Sequence, residues 1–284
     1  MAQHKIHFSF DDAKKVDAEF AAALIEKLGQ ADLESADKIV AIGGDGALLH
    51  ALHGAADKTI MGVVPPQSSS IGFWTNRGIE SADQLLTALA APAYPIMPLQ
   101  AGITFADGSS TTRYGYNDIS IRSVHREATP ELRARFKLSA IDVCIQSLLL
   151  ALRISFANAA IGPVPVMGTG LIFATPFGST AMNRNYGGPS LDIRSDGIVL
   201  TGIGISQPTK GFPPIYNEAD TAFHLDVQSQ DKRPALLTFD SFGVLNNERS
   251  SPIRNVKIAM AQTRAVNLVL TDDPGRRAYA AMMG

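Results

Sequence analysis

The sequence predicts two regions of different class. An N-terminal α/β domain with a parallel sheet is followed by an all-β, sandwich-like C-terminal domain. Three observations carry this. Apolar runs of strand length alternate with stretches of helical spacing through residues 5–90. Three prolines, Pro92, Pro95 and Pro98, then fall within residues 92–98. Beyond them, short runs with strand-like composition and turn dipeptides dominate.

The elements follow in order. Residues 5–10 alternate as a strand. Residues 11–28 place Val16, Phe20, Ala23, Leu24 and Leu28 at helical spacing, with Asp11 and Asp12 as capping candidates and Gly29 as a stop. A strand at Lys38–Ile42, the turn Gly43-Gly44-Asp45-Gly46 and a helix over residues 47–53 come next. A third strand, 59–64, precedes a helix over 81–90, where Ser81 and Gln84 carry the spacing of a capping box. The domain boundary is placed in the proline cluster, giving 1–96 and 97–271, with the tail at about 272–284 returning to the first domain. Asp107-Gly108 and Asp196-Gly197 read as hairpin turns. Strands are expected over 119–121, 136–145, 171–174, 221–227, 235–240, 255–260 and 265–270.

Bulk properties narrow the function class. The chain has 284 residues, 45% of them hydrophobic, and a net charge of −2, so nothing calls for nucleic acid or an anionic membrane. Cys144 is the one cysteine, which excludes an intramolecular disulfide and a cysteine-based zinc site. A reducing, cytoplasmic setting fits that usage. The N-terminal residues lack the apolar centre of a signal peptide. The most apolar region, 145–174, is interrupted by Arg153, Asn158, Pro163 and Pro165, which argues against a membrane span.

Two constellations carry chemistry. At Gly43–Gly46, the glycines let the backbone take positive φ and let a ligand approach the main chain. The helix behind them offers free N–H groups and a positive dipole end, suited to phosphate. Asp45 is either a helix cap or a reactive carboxylate. The second constellation is residues 168–189, where Thr175, Ser179, Thr180, Asn183, Arg184 and Asn185 cluster around Gly178, Gly187 and Gly188. It is either an ordinary polar loop or a surface that reads sugar hydroxyls and base edges. His50 and His53 lie one helical turn apart, but without a third ligand they read as surface or packing residues. Arg77 and Arg184 are candidates for phosphate contact, with surface charge as the alternative.

Gly43-Gly44-Asp45-Gly46 and Thr175-Pro176-Phe177-Gly178-Ser179-Thr180-Ala181, followed by Gly187-Gly188, together resemble the NAD kinase family. Gly72-Phe73, Asn117-Asp118 and Asp240 stand where that family carries a Gly-Phe segment, an Asn-Glu pair and an Asp on a late strand. The first motif is shared with diacylglycerol-type lipid kinases and phosphofructokinases; the second is the specific one.

The resemblance implies transfer of the γ-phosphoryl of ATP, or of polyphosphate, to the 2′-hydroxyl of the adenosine ribose of NAD. Asp45 would act as general base. Gly43, Gly44, Gly46, Gly72, Phe73, Asn117, Asp118, Thr175, Ser179, Thr180, Ala181, Met182, Asn185 and Asp240 would bind the substrates. Mg²⁺ would arrive with the nucleotide and not on a protein-only metal site. A homodimer or homotetramer is implied as well, for which the apolar residues 147–161 offer an interface. The family's usual residues are replaced at Ala47 (Thr), Asp118 (Glu), Thr169 (Asp) and Met182 (Tyr). Two alternatives stay open: a superfamily kinase acting on a lipid or nucleoside hydroxyl, and a dinucleotide-binding homologue with weak catalysis.

Overall fold

The computed structural model describes residues 5–70, 72–123, 150–156, 163–208, 212–217, 222–228, 235–240, 243–245, 251–275 and 277. The strand expected at 136–145, with Cys144, lies outside the described residues. The chain divides into two compact units, one of Met1–Met97, Asp192–Arg194 and Gln262–Gly284, the other of Pro98–Leu191 and Ser195–Ala261.

The first unit holds strands β1 (Ile6–Ser9), β2 (Lys38–Ile42), β3 (Thr59–Val63), β4 (Ala93–Ile96) and β16 (Val266–Val269), in the order β1-β2-β3-β16-β4. The pairs β1–β2, β2–β3 and β3–β16 are parallel; β4 is antiparallel to β16. Val40, Ile42, Met61 and Val63 of the sheet pack with Ala21 and Leu24 of α1 (Lys15–Leu28) and with Leu85 of α3 (Ala82–Ala88). Burying each large aliphatic side chain of this kind stabilises the fold by roughly 1.5–3 kcal/mol. Leu48 and Leu52 of α2 (Asp45–Leu52) are also fully buried.

Local chemistry sets the ends of these helices. Helix α1 begins at Lys15 and not at residue 11, because Asp11 closes a turn, accepting Ala13 N–H on its carboxylate and Lys14 N–H on its carbonyl. The helix stops at Gly29, whose φ is 77°. At α3, Ser81 Oγ accepts the Gln84 amide at 3.3 Å and Gln84 Oε1 accepts the Glu80 amide at 2.8 Å. Residues 265–270, expected in the β-rich half, run instead as β16 in the first sheet. They fit there because Val266, Leu268 and Val269 are buried and their backbone is paired on both sides.

The second unit is one hydrogen-bonded antiparallel sheet. Its strands are β5 (Leu99–Phe105), β6 (Ser110–Gly115), β7 (Asp118–Ser123), β8 (Leu150–Phe156), β9 (Val164–Ala174), β10 (Ile198–Gln207), β11 (Ile215–Asn217), β12 (Phe223–Val227), β13 (Ala235–Phe239), β14 (Gly243–Leu245) and β15 (Ile253–Met260). The order is β14-β13-β7-β9-β8-β12-β15-β5-β6, with β10 and β11 branching from β9. The sheet curls so that β6 comes near β7 and β13. Gly108, at φ 83°, turns the β5–β6 hairpin, whereas Asp196-Gly197 leads into β10 after a long connection. Strand β8 takes up part of the apolar stretch 147–161. It is paired to β9 and β12, and its Leu152 and Ile154 are buried within this single chain. Core packing therefore accounts for their apolar character.

Candidate functional site

Strand β2 ends in Gly43, whose φ of 132° favours glycine and whose N–H donates to Val63 O. A side chain there would sit 2.9 Å from Ala47 Cβ and 3.2 Å from Asp17 Oδ2, so the turn is also closed to larger residues by packing. Gly44 is the N-cap of α2 and makes no side-chain cap, which leaves Asp45 in the first helical turn. Within that turn Ala47 N–H reaches back to Gly44 O at 3.0 Å, whereas the amides of Asp45 and Gly46 precede the first helical acceptor. At Gly46 a Cβ would meet nothing within 4 Å, so this side of the turn is open. Free amides at an open, positive helix end suit phosphate oxygens.

Asp45 does not cap its helix. Its Oδ2 accepts the Phe73 amide at 2.7 Å and its Oδ1 accepts the Trp74 amide at 2.9 Å. Burial raises the Asp45 carboxyl above the ordinary carboxylate range, opposed by the backbone amides of Phe73, Trp74 and Thr75. The buried Thr75 hydroxyl also lies close enough to pull the carboxyl down, yet it reaches hydrogen-bond geometry with no group among the described residues. Each carboxylate oxygen keeps a lone pair beyond its amide bond, so a substrate hydroxyl still has an acceptor there.

The loop carrying those amides is itself fixed. Gly72 has no room for a side chain, since a Cβ would stand 1.6 Å from Thr75 Oγ1. Asn76 is fully buried; its Nδ2 donates to Gly62 O (3.0 Å) and Val269 O (3.1 Å), and its Oδ1 accepts the Thr271 amide (2.9 Å). Phe73 is half-buried and stands edge-on to Trp74, with ring centroids 4.6 Å apart. No motif in the sequence marks Asn76, whose role follows from these contacts.

In the second unit, a turn at Tyr116–Asp118 is held by Asp240, which follows β13. Asp240 has φ 52° and is buried; its Oδ2 accepts Tyr116 N–H at 2.7 Å, and its Oδ1 accepts Asn117 N–H at 2.7 Å and Asp118 N–H at 3.1 Å. Its carboxylate is thus committed to backbone. Asp118 is buried, and its Oδ1 has no hydrogen-bond partner among the described residues. Burial and then the nearby Asp240 charge push its carboxyl up to about 7, against a smaller opposing pull from Arg122.

The 175–189 segment wraps the same turn. Thr175 Oγ1 donates to Tyr116 O at 2.6 Å and accepts Gly178 N–H at 2.9 Å. A Cβ on Gly178 would stand 2.0 Å from Asn117 O. Ser179 Oγ donates to Pro176 O at 2.8 Å and accepts Leu191 N–H at 2.8 Å. Asn183, fully buried, donates to Ser179 O and Pro189 O and accepts from Thr201 Oγ1 at 2.7 Å. The Thr175 and Ser179 hydroxyls therefore shape the segment and are not presented on its surface.

The remaining candidates are distributed as follows. Asn117, Thr180, Ala181 and Met182 are part-exposed, and Asn185 is exposed at the end of α4 (Met182–Asn185). Met182 Sδ accepts from Arg122 at 2.6 Å, and the Arg122 guanidinium lies 5.6 Å from the Tyr186 ring centroid. Arg184 is part-exposed beside them. Arg77 is exposed and donates to Ser70 O on its own loop. His50 and His53 are exposed, and among the described residues no group of three or more His, Cys, Asp or Glu could hold a metal ion.

No protein-family model matches the chain. An NAD kinase of Xanthomonas oryzae pv. oryzae is 33% identical over 224 residues, covering 78% of this chain and 76% of the relative. An NAD kinase of Xylella fastidiosa is 33% identical over 77% of this chain and 74% of its own. Yeast NADH kinase, solved with NADH, superposes with a TM-score of 0.75 at 14% identity, over 99% of this chain and 87% of its own. An Archaeoglobus fulgidus NAD kinase solved with ATP gives 0.70 at 14% identity, over 98% of each chain. The two structures share the fold described above.

Proposed function

The chain belongs to the NAD kinase family, and from that we infer that it transfers the γ-phosphoryl of ATP to the 2′-hydroxyl of the adenosine ribose of NAD, giving NADP. The observation that carries the mechanism is the Asp45 carboxylate, held at a phosphate-suited helix start by two backbone amides. In this reading Asp45 takes the proton of the ribose hydroxyl as the new P–O bond forms. The free amides of the glycine turn hold phosphoryl oxygens. Asn117 and Asp118, with the part-exposed residues Thr180 to Met182, read the dinucleotide. Asp240, Thr175 and Ser179 contribute by fixing the backbone of that surface.

Phosphoryl transfer depends mainly on positioning and charge neutralisation. Mg²⁺ arriving with the nucleotide would supply part of that neutralisation. Polyphosphate as donor, NADH as acceptor, a homodimeric or homotetrameric assembly and a cytoplasmic location belong to the same proposal. No helix among the described residues is long and apolar enough to cross a membrane.

The test is incubation of purified protein with Mg-ATP or polyphosphate and a panel of NAD, NADH, nucleosides and diacylglycerol. NADP is the expected product, and Asp45→Asn lowers its rate by about 10²–10⁴-fold. The absence of NADP at every NAD concentration, or full activity in Asp45→Asn, would falsify the reading.

A further inference from the structure

The C-terminal segment of the first unit places Arg277 against the back of the loop that holds Asp45. Arg277 Nη1 donates to Phe73 O at 3.0 Å and to Thr75 O at 3.2 Å, and Nη2 donates to Asn76 Oδ1 at 3.1 Å. Nε donates to Asp272 Oδ1 at 2.7 Å, which pairs the guanidinium charge. The side chain is 10% exposed. The loop thus turns its N–H groups of Phe73 and Trp74 toward Asp45 and its C=O groups of Phe73 and Thr75 toward Arg277. Only a planar fork with several fixed donors can serve two carbonyls, an amide and a carboxylate at once. Exposed arginines that merely solubilise a surface do not use their donors in this way.

We propose that Arg277 is a positioning residue for phosphoryl transfer: it clamps residues 73–76 so that the Phe73 and Trp74 amides fix the Asp45 carboxylate. The proposal rests on the reading of Asp45 as the base. The relay is short: guanidinium to loop carbonyl, peptide plane to amide, amide to carboxylate. A peptide unit is rigid, so rotation of the Phe73–Trp74 peptide moves the carbonyl held by Arg277 and the amide held by Asp45 together. Asn76 alone does not fix that peptide, because its bonds tie the far end of the loop to Gly62, Val269 and Thr271.

The test uses the full chain with Arg277→Ala and Arg277→Lys. Trp74 is the one tryptophan in the sequence and is buried, so its emission reports on this loop directly. In Arg277→Ala the emission moves to the red and the Phe73 and Trp74 amides exchange faster with deuterium. The rate constant kcat for NADP formation falls roughly 10- to 100-fold, while KM for NAD stays within about twofold. Arg277→Lys, which keeps the charge but not the planar fork, falls between Ala and wild type in both readouts. Should Arg277→Ala not fold, Asp272→Asn, which removes the charge that pairs the guanidinium, is expected to show smaller changes of the same sign. Unchanged emission and exchange, or a released loop with wild-type kcat, overturns the proposal. If wild-type protein forms no NADP, the functional reading fails separately, and emission and exchange still decide whether Arg277 holds the loop.

Discussion

Asp118 and Asp240 are buried carboxylates at one turn with different partners: three backbone amides converge on Asp240, while Asp118 Oδ1 has no hydrogen-bond partner among the described residues. Asp118, pushed up to about 7 by burial and then by the nearby Asp240 charge, carries a proton below neutrality. Because the folded-state value lies above the unfolded one, the folded chain binds the extra proton between about pH 4 and pH 7. Stability is full below that window and is lost as pH rises through it. Asp118→Asn removes the loss, so chemical denaturation at pH 8 shows it more stable than wild type by roughly 2–4 kcal/mol, with no gain at pH 4. Equal effects at both pH values would exclude a titrating Asp118.

With Asp45 as the proposed base, its carboxyl sets the catalytic pH dependence. A general base works only when ionised, and burial raises this carboxyl against its backbone hydrogen bonds. kcat/KM for NADP formation therefore falls as pH is lowered through a value above that of a free aspartate. Phe73→Pro deletes the amide that donates at 2.7 Å and should move this acid limb to higher pH, because the charged form loses a hydrogen bond. A limb that moves to lower pH would contradict the assignment.

The two candidate constellations differ in how far the sequence reveals them. The Gly43–Gly46 turn was legible because its signal is local: glycines, a carboxylate and a helix start within ten residues. Ser81 and Gln84 were legible for the same reason. The placement of Val266–Val269 was not, since alternation marks a strand without naming its neighbours, here β3 and β4. Nor was the use of Asp240, whose partners at 116–118 lie more than 120 positions away. Ser179 and Thr175 looked like ligand contacts because hydroxyl-rich composition is the same whether the hydroxyls face a sugar or their own backbone. Arg277 gave no motif at all; its role depends on carbonyls 202 and 204 positions away.

Two glycines separate steric causes. In Gly178→Ala the new Cβ meets the Asn117 carbonyl oxygen at 2.0 Å, a backbone group that cannot move without shifting the Asp240 turn. In Gly72→Ala it meets Thr75 Oγ1 at 1.6 Å, a side-chain atom. Each substitution is expected to cost about 1–3 kcal/mol in urea denaturation. Adding Thr75→Ala restores much of the loss at Gly72 but nothing at Gly178. Equal rescue at both positions would show that contact with Thr75 is not the cause.

Asn183 supports the surface proposed to read the dinucleotide, and its two polar ends can be tested apart. Its Nδ2 donates to the Ser179 and Pro189 carbonyls, and its Oδ1 accepts the buried Thr201 hydroxyl. Asn183→Ala strands these groups and should cost about 3 kcal/mol or more at any pH. Asn183→Asp keeps the shape and the bond from Thr201, but sets a carboxylate oxygen against two carbonyl oxygens. Protonation restores one donor there, so the folded-state pKa of the introduced acid is raised. The variant is then closest to wild type at low pH and loses stability as pH rises. KM for NAD follows the same course, increasing with pH in Asn183→Asp, while the Asn183→Ala to wild-type ratio stays level. A pH-independent Asn183→Asp would mean that the carbonyls of Ser179 and Pro189 do not depend on this donor.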